Sequence, residues 1–228
     1  INNSEWQKHL ILLREPESPP AEAFRSLRAR LSRSLAAGKR KLMLVSSWAG
    51  DGKSMLAANL TLVLAQLHLK ALLIDGDLRK PTLTRLFGIT ESKGLSDALE
   101  GNATHLEAVH DTGIDGFYFM PAGTSTANPG NILGRESMKD LFASLSDFGV
   151  VILDTPPLSA CSDAMLVAAH IDAVLMIVNP KSWDGDVEQR CRDQLKELEV
   201  EILGVVVNGS DAQQSKYGYG YGYGYGYG

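Results

Sequence analysis

The sequence predicts an α/β domain: a doubly wound, mostly parallel sheet flanked by helices, followed by a disordered Tyr/Gly tail. Three observations predict it. Apolar runs of four to seven residues recur at 41–46, 71–74, 116–120, 150–153, 172–178 and 202–207. Helical periods separate several of these runs, and that alternation marks a parallel sheet covered on both faces. Aspartates stand just past the runs, at the carboxyl ends of strands where such sheets bind ligands. Without the tail about 210 residues remain, an ordinary size for one domain.

Residues 1–17 are mixed and carry no clear period. Ser18 then caps a helix with Pro19 in its first turn, where a missing N–H costs nothing. Phe24, Leu27, Leu31 and Leu35 recur at helical spacing to about Ala37, and Gly38 follows the end. The run at 41–46 is a buried strand feeding a glycine-containing turn. A second helix follows, with Leu56, Leu60, Val63, Leu64 and Leu67 as its apolar stripe. The strand at 71–74 ends in Asp75-Gly76-Asp77, and the strand at 150–153 ends at Asp154. Pro156-Pro157 then drives the chain out of the sheet. Strands at 172–178 and 202–207 bracket a helix over 184–198.

Composition excludes several classes. A net charge of -5 leaves no excess of Lys and Arg for phosphate backbones, so no nucleic-acid partner is expected. Cys161 and Cys191 lack C-x-x-C spacing and read as buried apolar residues of a reducing compartment rather than a disulfide. No run approaches the roughly 18 apolar residues of a membrane helix, and no signal peptide is recognisable. The chain begins at Ile1 rather than Met, so any membrane attachment is expected from a missing segment or a partner.

Ser47-Trp48-Ala49-Gly50-Asp51-Gly52-Lys53-Ser54 lies between a strand and a helix, the setting of a phosphate-binding loop. Ser47 stands where the first glycine of G-x-x-x-x-G-K-[ST] is expected. The chemistry needs a nest of backbone N–H groups at a helix N-terminus, supplied over residues 49–55 from Ala49 to Met55. Lys53 adds a mobile charge for the β and γ phosphates, and Ser54 a hydroxyl for magnesium (Mg2+). Asp154, at a strand end, would place a carboxylate behind that metal. Asp75 and Asp77, separated by one glycine, can converge on one metal or one hydroxyl. Each acid could instead be a turn former.

The run from Ser46 to Ser54, the Leu-Ile-Asp-Gly-Asp-Leu-Arg-Lys-Pro run at 73–81, and Ile152-Leu153-Asp154-Thr155-Pro156-Pro157 resemble the three nucleotide motifs of bacterial tyrosine kinases. The resemblance covers nearly the whole chain from Leu12, and the middle motif is its most specific part. Family members often carry Pro at the position of Ala49 and Glu at that of Asp51. The resemblance implies a P-loop NTPase-like autokinase using ATP and Mg2+, serving capsular and extracellular polysaccharide synthesis and export. It also implies a cytoplasmic location at the inner face of the plasma membrane, through a fused or separate chain-length regulator, and a tyrosine phosphatase that resets the enzyme. Partitioning and cell-division-site ATPases carry an extra lysine at the position of Trp48; its absence argues against that class.

In the mechanism this implies, Lys53 and the loop hold the phosphates, while Ser54 and Asp154 hold magnesium with Asp77 as a further shell group. Asp75 is expected to accept a hydrogen bond from the incoming phenol, although the roles of Asp75 and Asp77 could be exchanged. A carboxylate cannot fully deprotonate a phenol of pKa about 10, so its part is orientation and late proton uptake. Asn208 is read either as a contact to the adenine edge or as a turn residue of Asn-Gly-Ser.

Six of the seven tyrosines alternate with glycine at the end of the chain: Tyr217, Tyr219, Tyr221, Tyr223, Tyr225 and Tyr227. Such a segment cannot build a core, and glycine maximises the entropy lost on ordering. The expected organisation is a kinase domain over 1–211 and a flexible phosphoacceptor tail over 212–228. A sticky, aromatic-stacking tail is the bland alternative. Glu22, Arg25 and Arg28 match the E-x-x-R-x-x-R pattern that the resemblance associates with ring-like self-association and transfer between neighbours. They also suit a solvated charged face. Two rival functions share the fold: a positioning-type ATPase that releases phosphate to water, and an assembly module cemented by nucleotide.

Overall fold

The computed structural model describes residues 5–124, 128–160 and 162–209. The six tail tyrosines, the boundary at 211 and Cys161 lie outside the described residues. The strands are β1 (Lys41–Ser46), β2 (Ala71–Asp75), β3 (His110–Ile114), β4 (Phe117–Met120), β5 (Val150–Asp154), β6 (Ala173–Val178) and β7 (Ile202–Val207). The helices are α1 (Ile11–Arg14), α2 (Pro19–Ala36), α3 (Lys53–Ala65), α4 (Thr82–Phe87), α5 (Leu95–Glu100), α6 (His105–Ala108), α7 (Pro129–Leu133), α8 (Ser137–Ser144), α9 (Asp163–Ala168) and α10 (Gly185–Glu197).

The seven strands form one sheet in the order β3-β4-β2-β5-β1-β6-β7. Every pairing is parallel except β3 with β4, which is antiparallel and irregular between Asp111 and Ile114. The doubly wound expectation is therefore met, with one reversed edge strand that was not anticipated. Its sequence, His-Asp-Thr-Gly-Ile, lacks the apolar continuity of a central strand because only one face of it is covered.

Two cores lie on the two faces. Leu42 and Leu44 of β1 point into the one beneath α2 and α3; Met43 and Val45 point into the other, with Leu141, Ala164 and Leu195. The same alternation runs through β2, β5 and β6, which is why those strands read as unbroken apolar runs. Burial all round also corrects the reading of α3. From Leu56 to Ala65 every residue is buried, Asn59 and Thr61 included, and Leu67 lies past the helix end, exposed. The helix is a buried rod, not an amphipathic one.

The segment 1–17 shows no clear period in the sequence. Glu5–His9 nevertheless forms a 3₁₀ turn and α1 follows, because tertiary contacts order both. Trp6 stacks on Phe87 at 4.2 Å, and Phe87 stacks on Phe119 at 4.1 Å. Asn59 Oδ1 accepts from the Ile11 N–H at 2.7 Å. At the start of α2, Ser18 Oγ accepts from the Ala21 N–H at 3.4 Å, as the Ser-Pro-Pro signature predicts.

Candidate active site

β1, β2 and β5 are neighbours, so their carboxyl ends deliver Ser46, Asp75 and Asp154 to one place. Residues 47–52 turn from β1 into α3, whose first residue is Lys53. Gly52 has φ +85°, and a Cβ there would lie 2.1 Å from Asn208 Nδ2. Glycine is needed at that position both for the left-handed backbone and for the close approach. Asn208 Nδ2 donates to the Asp51 carbonyl at 2.8 Å, and the Asn208 N–H donates to Val178 O at 2.8 Å. Asn208 thus braces the loop from the end of β7. Its side-chain amide is directed at the loop backbone.

The loop borders a cavity of about 390 Å³ lined by Trp48 to Met55, together with Asp77, Arg79, Lys80, Pro156 and Pro157. Behind the lining, Nζ of Lys53 forms a buried ion pair with Asp154 Oδ1. The other oxygen, Asp154 Oδ2, is buried and has no hydrogen-bond partner among the described residues. An orphaned carboxylate oxygen beside a phosphate loop is an acceptor waiting for a cation or a water.

The two aspartates after β2 take different directions. Asp75 is fully buried and spends both oxygens inside the protein. Oδ2 accepts from Thr84 N–H and Thr84 Oγ1, each at 2.8 Å, and Oδ1 accepts from Asp77 N–H at 3.3 Å. Asp77 lines the cavity, with Oδ1 accepting from the Arg79 and Lys80 N–H groups at 3.2 and 2.9 Å. Asp75 is therefore turned into the protein, and Asp77 stands on the cavity wall. Among the described residues no group of three or more His, Cys, Asp or Glu side chains could hold a metal alone, so Asp75, Asp77 and Asp154 do not form a three-carboxylate cage.

Burial, reinforced by the Asp154 charge, pushes Asp75 up to about 7. Asp77 is also raised, chiefly by burial, while the Lys80 N–H and the Lys53 charge pull the other way. The Asp75 shift has a consequence for stability. Between its unfolded value of 3.8 and about 7, the folded chain keeps a proton that the unfolded chain has lost. Stability contributed by this group is thus full below that window and lost as pH rises through it. Melting of the nucleotide-free protein between pH 5 and 8 is expected to show a falling midpoint, and Asp75→Asn a flatter profile. An equal slope in both proteins would contradict the assignment.

Arg79 is aimed by a partner that the sequence did not reveal. Its Nε and Nη2 donate to Asp163 Oδ2 and Oδ1 at 2.7 and 2.9 Å, and Asp163 is buried at the start of α9. Thr84, Asp163, Ser182 and Glu188 all act on the site from outside the three motifs. No local pattern singles them out, because their partners are 9 to 141 residues away in sequence. On α2, Arg25 donates to Glu22 Oε2 at 3.2 Å and to Pro16 O at 2.7 Å, and Arg28 to Val63 O at 3.4 Å. Both arginines have partners within the chain, and Glu22 is the exposed member of the trio.

The ParA family model, described as NUBPL iron-transfer P-loop NTPase, matches residues 38–221. The tyrosine-protein kinase YwqD of Bacillus subtilis is 31% identical over 218 residues, 94% of this chain and 92% of YwqD. The chain belongs to the bacterial tyrosine kinase family. The kinase domain of the Escherichia coli tyrosine kinase ETK superposes on this bacterial tyrosine kinase domain with a TM-score of 0.85 at 28% identity, covering 96% of this chain and 84% of that one. EpsB of Ralstonia solanacearum is 35% identical over 92% of this chain, which spans only 28% of the length of EpsB. As a P-loop NTPase, the bacterial tyrosine kinase domain binds nucleotide. Among its described residues no helix is long and apolar enough to cross a membrane.

Proposed function

We propose that this chain is an ATP-dependent protein-tyrosine autokinase that phosphorylates Tyr217, Tyr219, Tyr221, Tyr223, Tyr225 and Tyr227, with transfer between subunits. One observation carries the reading: the loop with its Lys53–Asp154 pair borders a cavity that also receives Asp77. The last described residues support it. Asn208, nine residues before Tyr217 in the sequence, touches the loop with its side chain.

Phosphoryl transfer passes through a loose transition state, so the protein mainly positions groups and neutralises charge. Backbone N–H groups of residues 49–55 would hold the phosphates, and Lys53 would turn from Asp154 to the β and γ oxygens. The donor set fits magnesium, which takes phosphate oxygens and water along with one or two protein oxygens. Ser54 and the orphaned Asp154 oxygen would hold it, with Asp77 nearby, and when bound it would neutralise phosphate charge. The phenol oxygen forms a bond to the γ-phosphorus as the bond to the β,γ-bridging oxygen breaks, leaving ADP. The phenol proton passes late to Asp77, whose raised pKa makes it a better acceptor than an exposed carboxylate. Asp75, itself anchored by Thr84, positions this acid through the Asp77 N–H rather than touching the phenol.

The wider setting belongs to the same proposal. The chain would assemble as a ring through Glu22, Arg25 and Arg28, and work with a membrane-embedded chain-length regulator at the cytoplasmic face. It would be reset by a phosphatase and serve polysaccharide export. Six phosphotyrosines would add about -9 to -12 charges to a chain already at -5. The fully phosphorylated form is therefore expected to sediment as a smaller species than the unmodified one.

Intact mass after incubation with Mg-ATP tests the core of this. Steps of one phosphate, up to six, are expected, and deletion of residues 217–228 should remove most steps while ADP still binds. The match to the ParA family model favours a second reading, a P-loop ATPase without kinase activity. Phosphate release with no gain in mass would select it.

A further inference from the structure

Ser47 departs from the phosphate-loop pattern by replacing its first glycine, yet it is fully buried and its side chain is engaged. Ser47 Oγ donates to Glu188 Oε2 at 2.6 Å, a bond that is itself buried and joins the loop to the first turn of α10. The Ser47 carbonyl accepts from Ser159 Oγ, and from the Ser159 N–H at 3.3 Å, in the turn that follows Asp154. One residue therefore links β1, the metal-side turn and α10. A second tie runs nearby: Ser182 Oγ donates to Asp51 Oδ1 at 2.5 Å, while Asp51 Oδ2 accepts from the Trp48 N–H at 3.1 Å. The first tie ends on α10 and the second on the segment leading into it from β6.

A buried carboxylate under an anion-binding loop is costly, since burial and the charges of Asp51 and Asp184 all disfavour its ionised form. The cost is offset only if the group does something that an apolar residue would not. We infer that Ser47 and Glu188 are positioning residues, which hold the loop with its backbone N–H groups turned to the phosphates before nucleotide arrives. This deepens the nucleotide-site reading and rests on it, but it is independent of whether phosphate goes to tyrosine or to water.

The inference reverses what the motif suggests. Glycine at position 47 restores the pattern but removes the hydroxyl and loosens the backbone, so ordering must occur on binding. Ser47→Gly, Ser47→Ala and Glu188→Ala are each expected to raise the Kd for a fluorescent ADP analogue about tenfold, the scale of one charge-assisted hydrogen bond. Ser47→Thr keeps the hydroxyl and Glu188→Gln keeps an acceptor; both are expected to stay within about threefold of the unmodified chain.

Titrating the full chain and these variants with that analogue, alongside their melting curves, decides the matter. Weakening in Ser47→Ala with rescue in Glu188→Gln and Ser47→Thr supports the inference. Ser47→Gly or Ser47→Ala binding as tightly as the unmodified chain overturns it, as does equal weakening in Glu188→Gln and Glu188→Ala. Should Ser47→Gly or Glu188→Ala fail to fold, Ser47→Ala, which loses a single oxygen, carries the test. Tight ADP binding without any gain in mass from ATP would sink the kinase reading and leave this inference standing.

Discussion

Lys53→Met is expected to abolish mass steps from Mg-ATP, with transfer falling at least about 10³-fold, the scale of removing a charge that stabilises a transferring phosphoryl group. The structure adds a second effect. Lys53 is buried, and its ammonium pairs with Asp154 Oδ1, while Oδ2 has no partner among the described residues. Methionine would leave an uncompensated buried carboxylate, and breaking such a pair costs about 3–5 kcal/mol. For a domain of this size that corresponds to a midpoint lower by roughly 6–20 °C. Asp154→Asn added to Lys53→Met should recover part of the lost stability and none of the transfer. A Lys53→Met protein that melts with the unmodified chain would show that the ion pair is not made; one that still gains phosphate would remove Lys53 from the chemistry.

Gly52→Ala is the second large effect. Its φ of +85° costs an alanine about 1–2 kcal/mol. The new methyl would also meet Asn208 Nδ2 at 2.1 Å, a separation no packing tolerates. Either the loop shifts or Asn208 releases the Asp51 carbonyl, and both disturb the nest of N–H groups. ADP affinity is expected to fall at least about 30-fold, roughly 2 kcal/mol. Asn208→Ala in the same chain should return part of that affinity by making room, while the backbone strain remains. If the double variant binds no better than Gly52→Ala alone, the contact is not what limits the site.

Much of the site was legible because its motifs are local. The turn from β1 into α3 announces itself through Gly50, Gly52 and Lys53 within a few residues, and the apolar runs announce the central strands. Elements whose order comes from distant partners were not legible. The 3₁₀ turn at Glu5–His9 depends on Trp6 meeting Phe87, and the edge strand β3 depends on Phe117 and Phe119 beside it. The stripe assigned to α3 was too narrow because periodicity reports one covered face, and this helix is covered on all sides.

By itself the sequence determined the fold class, the phosphate loop, the strand-end acids and the tyrosine-rich tail, since each is written in neighbouring residues and the short-range preferences they carry. Only the tertiary structure decided which acid faces the cavity. Asp75 and Asp77 have the same chemistry and stand two residues apart, but Thr84 captures Asp75 while Asp77 is left on the cavity wall. It also decided that Asn208 and Glu188 act on the loop. Those contacts join residues more than 100 positions apart, and no local preference can encode where a strand order will bring two such groups together.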